Sequence, residues 1–215
     1  MIFIEGLPCA GKSLLINALA AQGEAICFEL GKVLKREDFP GNGRTLEEVE
    51  YINNWFIEHE SQRMQDKAFR FFDRSYLTHL CYAWAYSRLT SLDMFESTVR
   101  KYHEKIADGS LPLPTRVIYV DIVSSESIAR QNNKIVSGIS RGLPAFWRDT
   151  QFLDDTRYAY QQLFASFTHI PVLSITGQLT TDEKVKQVNH WLNDTTQQGS
   201  AGIDCDLYIK YAQKG

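Results

Sequence analysis

Apolar positions divide the chain into short continuous runs separated by segments with a helical period. Five runs read as buried strands: Ile2–Glu5, 25–29, 69–73, 116–122 and 171–175. Between them the period lengthens. Residues 14–21 ("LLINALAA") are strong helix formers that stop at Gln22-Gly23. Thr45-Leu46-Glu47-Glu48 has the capping-box pattern and opens a long helix to about Lys67. Its apolar stripe, Val49, Ile52 and Phe56, continues in register to His59 and Arg63, which places a cation on the inward face. Residues 76–89 are apolar nearly all round and predict a buried helix. Its Tyr82, Trp84 and Tyr86 suit either core packing or a wall against which a flat ring stacks. Further helices are expected over 91–107, with Ser91 as N-cap, over 150–167, and over 180–192, where Thr180 to Glu183 repeats the capping box. Strands alternating with helices predict a doubly wound α/β domain.

Two segments break the alternation. Residues 36–44 ("REDFPGNGR") read as a loop from their proline and glycines. After a polar linker near 195–202, Ile203, Cys205, Leu207, Ile209 and Tyr211 alternate with more polar residues. With Asp204, Asp206, Tyr208 and Lys210 as the intervening positions, that period suits an added edge strand, and a disordered tail is the other reading. The chain therefore reads as one domain over 1–194, followed by a tail over 195–215.

Composition narrows the class. At 215 residues with a formal charge of −3, the chain is long enough for a full core and carries no broad positive field, so a nucleic-acid partner is not expected. Cys9, Cys27, Cys81 and Cys205 are scattered, with no zinc-type spacing, and suit a reducing compartment. No stretch is long and apolar enough for a membrane span, and a strand-like run at the very start leaves no room for a signal peptide. Cytoplasm is the expected location.

The chemistry begins at Gly6-Leu7-Pro8-Cys9-Ala10-Gly11-Lys12-Ser13, which matches G-x-x-x-x-G-K-[ST] between a strand and a helix. Backbone N–H groups of such a loop converge on an anion at the positive end of the helix. Lys12 is expected to neutralise the β- and γ-phosphates of ATP, and Ser13 to hold Mg²⁺ through its hydroxyl.

Three further groups bear on what happens to the phosphate. Asp73 ends the strand "FFD", where its carboxylate can reach a metal shell, and Arg74 follows at the edge where ligands bind. A plain surface pair is the other reading of these two. Glu29, ending the second strand, can take a proton from an acceptor hydroxyl or hold a ribose, and a solvated strand end suits it equally. The segment 130–148 carries Arg130, Lys134, Arg141 and Arg148 around Gly138 and Gly142, the pattern of a hinged lid or of a solvated loop. Leu7 to Ala10 include no cation, so any arginine acting on the transferring group must come from elsewhere, which favours the lid.

These motifs resemble those of the thymidylate kinase and deoxynucleoside kinase group of P-loop kinases. "FIEGLPCAGKS" is similar to the opening of thymidylate kinases. "FELG" sits where one group has Arg-Glu-Pro-Gly and the other a catalytic glutamate, but it lacks their proline. "ESQRM" falls where an arginine on a long helix contacts substrate. "FDRSYLTH" combines the aspartate of one group's motif with the serine of the other's. "RVIYVDIVSSESIARQ" resembles the strand and helix leading into the lid, and "ITGQLTTDEKV" the last strand and adenine-side loop. The resemblance implies a three-layer fold with a five-stranded parallel sheet of order 2-3-1-4-5 and helices on both faces. It implies that Gly6 to Ser13, with Leu14 and Gln178, bind ATP, and that Ser13 and Asp73 hold Mg²⁺. It gives Lys12, Glu29, Asp73 and a lid cation, Arg141 or Arg148, catalytic roles, with the lid at about 130–149. Glu29, Arg63 and Arg74 would bind the acceptor, a small molecule of the nucleoside or nucleotide class. A homodimer follows from the same resemblance. A nucleotide-binding regulatory protein and a kinase of a non-nucleoside alcohol remain alternatives.

Overall fold

The central strand explains the layering. In the computed structural model, which describes residues 1–41, 43–139, 145–193 and 200–214, strand β1 (Ile2–Glu5) is buried along its whole length. Successive side chains point to opposite faces of a sheet. Phe3 therefore packs into one apolar cluster while Ile2 and Ile4 pack into another.

The chain continues through α1 (Lys12–Ala21), β2 (Ile26–Cys27), the single-turn α2 (Leu30–Val33) and a 3-10 turn (Arg36–Asp38) to α3 (Leu46–Met64). Then come β3 (Phe71–Asp73), α4 (Tyr76–Thr90), α5 (Phe95–Ala107), β4 (Arg116–Asp121), α6 (Ser124–Val136) and a second 3-10 turn (Ala145–Arg148). The last part holds α7 (Thr150–Ala165), β5 (Phe167–Thr168), β6 (Val172–Thr176), α8 (Thr181–Leu192), β7 (Gly202–Ile203) and α9 (Cys205–Ala212). The main sheet runs β2-β3-β1-β4-β6, all parallel. That is the expected order, with β6 as its fifth member, because the short β5 pairs elsewhere. In register, Ile4 lies opposite Asp73, and Glu5 opposite Tyr119. The carboxyl ends of β1 and β3 therefore open side by side.

Residues of α3, α4, α5, α7 and α9 fill the cluster on one face of the sheet, and α1 and α8 supply much of the other. Both predicted capping boxes form, at Thr45/Glu48 and Thr180/Glu183. Ser91 differs from expectation. It terminates α4 with φ 57°, and α5 begins after Met94 without a side-chain cap.

The tail is also corrected. Residues 205–212 form a helix instead of an edge strand on the main sheet, capped where Asp204 accepts from the Leu207 N–H. Cys205, Tyr208, Ile209 and Ala212 are buried, the i, i+3, i+4, i+7 stripe of a helix. Tyr208 had counted as a polar member of the alternation, yet its ring is in the core and its hydroxyl donates to the Leu80 carbonyl at 3.2 Å. Among the described residues of the tail, Gly202–Ile203 forms a strand, antiparallel to β5.

Candidate functional site

The phosphate end is built from backbone. Gly6 has φ 138°, and a Cβ there would lie 2.3 Å from the Val120 carbonyl oxygen of the neighbouring strand, so only glycine fits. Gly11, at φ 102°, turns the loop into α1. Between them Cys9 adopts φ 56°. The loop is fastened from behind, where Ser127 Oγ donates to the Pro8 carbonyl at 2.7 Å. Arg130 donates to the carbonyls of Cys9 at 3.2 Å and Gly177 at 3.0 Å and pairs with Glu126. Lys184 Nζ joins it on Gly177 O at 3.0 Å. Arg130 thus braces the loop and does not ride on a lid.

Lys12 is buried and donates to the carbonyls of Gly6 and Leu7, each at 2.8 Å. Burial, reinforced by the Arg74 charge, pushes its pKa down to about 7. A polyanion brought to the loop would reverse that balance. Ser13 and Leu14, which follow on α1, are exposed. Gln178 is exposed on the loop after β6, where its N–H approaches Thr176 Oγ1 at 3.4 Å.

Asp73 ends β3 with its carboxylate buried, 1% exposed. Lys32, on α2, forms an ion pair with Asp73 Oδ2 and donates to Ser13 Oγ at 3.1 Å. One ammonium thus joins the hydroxyl and the carboxylate expected to hold a metal. This sharing of a cation by two hard oxygen donors fits Mg²⁺, whose remaining ligands are ordinarily phosphate oxygens and water. Among the described residues no group of three or more His, Cys, Asp or Glu side chains is assembled for a metal.

Beside this lies a cavity of about 480 Å³. Glu29, Arg74, Tyr82, Tyr86, Phe56 and Trp147 are among its walls, and Asn53, Glu60 and His79 add polar groups. Glu29 Oε2 is 2.9 Å from Arg74 Nε, and Arg74 also donates to Tyr82 Oη at 2.9 Å. Arg74 has φ 57°, an uncommon geometry for a non-glycine residue and one that accompanies its position at the sheet edge. Burial opposes its charge, but Tyr82, Glu29 and other neighbours outweigh this and hold its pKa above the ordinary value. Trp147 stands edge-on to Tyr82 at 4.7 Å between ring centres, its carbonyl held by Gln131 Nε2 at 2.8 Å. The rings of Tyr82 and Trp147 both lie about 6 Å from the Arg74 guanidinium.

The cavity sorts the aromatic candidates. Tyr82 and Tyr86 face it, whereas Trp84 packs on Phe95 in the core at 5.1 Å. Arg63 departs from its expected role. Its guanidinium donates to the carbonyls of Phe28 at 2.8 Å, Asp73 at 3.1 Å and Arg74 at 2.6 Å, and to Glu60 at 2.8 Å. It is not among the cavity's walls, and it ties α3 to the ends of β2 and β3 because those strand ends present carbonyls without a sheet partner. His59 stacks on Trp55 at 3.8 Å, away from the cavity. Arg148 is exposed on its 3-10 turn. Arg141 lies outside the described residues.

Sequence reasoning missed Lys32, Asn53, Glu60 and His79. Lys32 carried a signal, since it lies three residues after Glu29. The polar members of the cavity carried none, because α3 and α4 bring them together only in the folded chain.

Compared with known proteins, the first half of the chain, residues 1–107, matches a family model described as an AAA domain. No curated protein sequence matches significantly. Among solved structures, deoxyadenosine kinase from M. mycoides with bound dATP is similar at 18% identity and a TM-score of 0.68, covering 90% of this chain and 99% of that one. The same enzyme with bound dCTP gives 17% and 0.66, with coverages of 90% and 99%. Its structure with products dCMP and a flexible dCDP gives 17% and 0.66, with 89% and 97%. The chain therefore has the P-loop kinase fold, in the variant seen in a deoxynucleoside kinase.

Proposed function

We propose that the protein is an ATP-dependent phosphotransferase that moves the γ-phosphoryl group to a nucleoside or nucleoside monophosphate. The observation that carries this reading is the adjacency of two half-sites. The P-loop with Ser13 and Asp73 opens beside a ring-walled cavity whose lining includes the Glu29–Arg74 pair. The similar deoxyadenosine kinase structures hold dATP, dCTP, or dCMP with dCDP, ligands of the same class.

In this reading the loop N–H groups from Gly6 to Ser13 and the Lys12 ammonium bind the triphosphate. Ser13 and Asp73 hold Mg²⁺, which when bound neutralises charge on the phosphate oxygens. Arg74 orients Glu29, and for a nucleoside acceptor Glu29 takes the proton of the hydroxyl placed in line with the γ-phosphorus, whereas a nucleoside monophosphate attacks through an already ionised phosphate oxygen held by Arg74. The attacking oxygen forms the new bond to phosphorus as the bond to the β,γ-bridging oxygen breaks, and ADP leaves with that electron pair. Tyr82, Phe56 and Trp147 stack on the acceptor's ring. The lid is the part of 130–149 beyond the loop-bracing Arg130, with Arg141 or Arg148 as its cation, and Leu14 and Gln178 flank the nucleotide. Arg63 acts through the strand ends it ties together. The reading places the protein in the cytoplasm as a homodimer with no nucleic-acid or membrane partner, and among the described residues no helix is long and apolar enough to cross a membrane.

The test is ADP release from Mg·ATP across a panel of nucleosides, nucleoside monophosphates and other small alcohols. Stimulation by a nucleoside or nucleotide is expected. Stimulation confined to a non-nucleoside alcohol, or none at all, contradicts the reading.

A further inference from the structure

Lys32 sits on α2, one turn beyond Glu29, and joins two segments that are far apart in the chain. Its ammonium reaches Ser13 Oγ at the start of α1 and Asp73 Oδ2 at the end of β3. The two ends of the ion pair differ in burial, with the lysine side chain 32% exposed and the carboxylate 1%. A buried carboxylate requires a counter-charge, and among the described residues Lys32 is the side-chain cation paired with Asp73.

The neighbouring cations are otherwise engaged. Lys12 is folded onto the carbonyls of Gly6 and Leu7. Arg74 is turned to Glu29, Arg63 to strand-end carbonyls, and Arg130 to the back of the loop. Leu7 to Ala10 contribute no charge. Lys32 is therefore the cation standing at the Ser13 hydroxyl, on the side where the terminal phosphate of a nucleotide held by the loop arrives. Its support is light. Leu30 is the buried residue of α2, while Gly31 and Val33 are exposed, so a small rotation of one turn and of the lysine stem re-aims the ammonium.

We propose that Lys32 is a phosphate-binding residue of this site, a tethered cation that gives up Ser13 and Asp73 and turns onto the terminal phosphoryl oxygens of a bound nucleoside triphosphate. The assignment rests on the nucleotide-site part of the proposed function and adds to Lys12 a second cation from outside the loop, whose variable positions Leu7 to Ala10 carry none. Because Glu29 lies on the same short segment, the movement that re-aims Lys32 also reaches the acceptor side. The assignment distinguishes triphosphate from diphosphate, since a diphosphate has no oxygens at that point.

Calorimetric titration of wild type and Lys32→Met with ATP and with ADP, both with Mg²⁺, tests it. ATP affinity is expected to fall about tenfold or more while ADP affinity stays within about twofold, the loss of one charge-assisted contact. Titration with Mg²⁺ alone should show tighter binding to Lys32→Met, since the ammonium no longer holds the same two oxygens. On the unaltered protein, mapped acylation of Lys32 by an amine-directed reagent should be slowed by ATP more than by ADP, and this reads the contact even if the variant does not fold. Equal losses for ATP and ADP, unchanged Mg²⁺ affinity in a folded variant, or equal protection by both nucleotides would overturn the assignment. None of these readouts needs turnover. Binding of this kind without acceptor-stimulated ADP release retires the kinase reading alone, and turnover with an unchanged ATP/ADP ratio retires Lys32 alone.

Discussion

The two ends of the cleft are made in different ways. The phosphate end is a single stretch of eight residues whose working parts are backbone N–H groups, glycine dihedrals and one helix terminus. The acceptor end is assembled from α2, α3, α4 and the turn before α7, and its working parts are side chains. Local chemistry fixes the first and tertiary packing fixes the second. Substitutions at the phosphate end should therefore act on nucleotide chemistry whatever the acceptor. Those at the cavity should sort acceptors from one another.

The largest contrast is between Lys12 and Glu29. Lys12→Ala should lower turnover about 10²- to 10³-fold with every acceptor, and because it removes a buried ammonium it should leave the fold intact by circular dichroism. Glu29→Gln should lower kcat for a hydroxyl acceptor about 10²- to 10⁴-fold with little change in ATP affinity by calorimetry. If Glu29→Gln weakens ATP binding and spares kcat, the division between the two ends fails.

Next come the two arginines. Arg63 and Glu60 form a pair whose side chains are 6% and 3% exposed, so Arg63→Met should cost about 3–5 kcal/mol in denaturant unfolding. Arg74→Gln should instead raise the acceptor KM and lower kcat. A folded Arg63→Met protein with lost acceptor affinity and wild-type stability would restore Arg63 as a direct acceptor ligand.

A smaller effect is expected from Trp147→Ala, which removes one ring from the cavity wall. Acceptor KM should rise about tenfold, with KM for ATP unchanged. Steady-state kinetics with each substrate varied in turn decides this.

The smallest effect lies beneath both ends. Glu5 is fully buried and accepts from the hydroxyls of Ser75 at 2.5 Å, Thr78 at 2.6 Å and Tyr160 at 3.0 Å. Burial raises its pKa above the usual carboxylate value, although these hydroxyls and the Arg74 charge offset part of the rise. From the ordinary carboxylate pKa up to the raised one, the folded protein retains a proton that the unfolded chain releases. Stability from this group therefore falls as pH rises through that window. Glu5→Gln should flatten the slope in a series of melts at successive pH values, and a curve parallel to wild type would contradict the assignment.

The same division explains what could be read from the sequence. The five parallel strands, the two capping boxes and the loop from Gly6 to Ser13 are encoded by neighbours a few residues apart, and each lies where its pattern predicts it. Asp73 was legible because a strand-ending acid beside the first strand needs only the sheet order to place it. Arg63 was legible only as an inward-facing cation, because periodicity locates a residue on a helix face but does not say whether a ligand or a strand-end carbonyl meets it. Tyr208 shows the converse. Its hydroxyl made the tail look alternating, but a buried tyrosine with one carbonyl partner counts as apolar for packing. The Glu60–His79 approach at 3.6 Å joins α3 to α4, and no spacing in either helix announces it.

The central claim is that the two ends form one transfer site. The most direct measurement follows the label from γ-³²P-ATP with Mg²⁺ and the acceptor that most stimulates ADP release. The account predicts label in the phosphorylated acceptor, lost in Lys12→Ala and strongly reduced in Glu29→Gln. Label appearing only as inorganic phosphate would mean that water, not a ligand of the cavity, receives the phosphoryl group, and would contradict it.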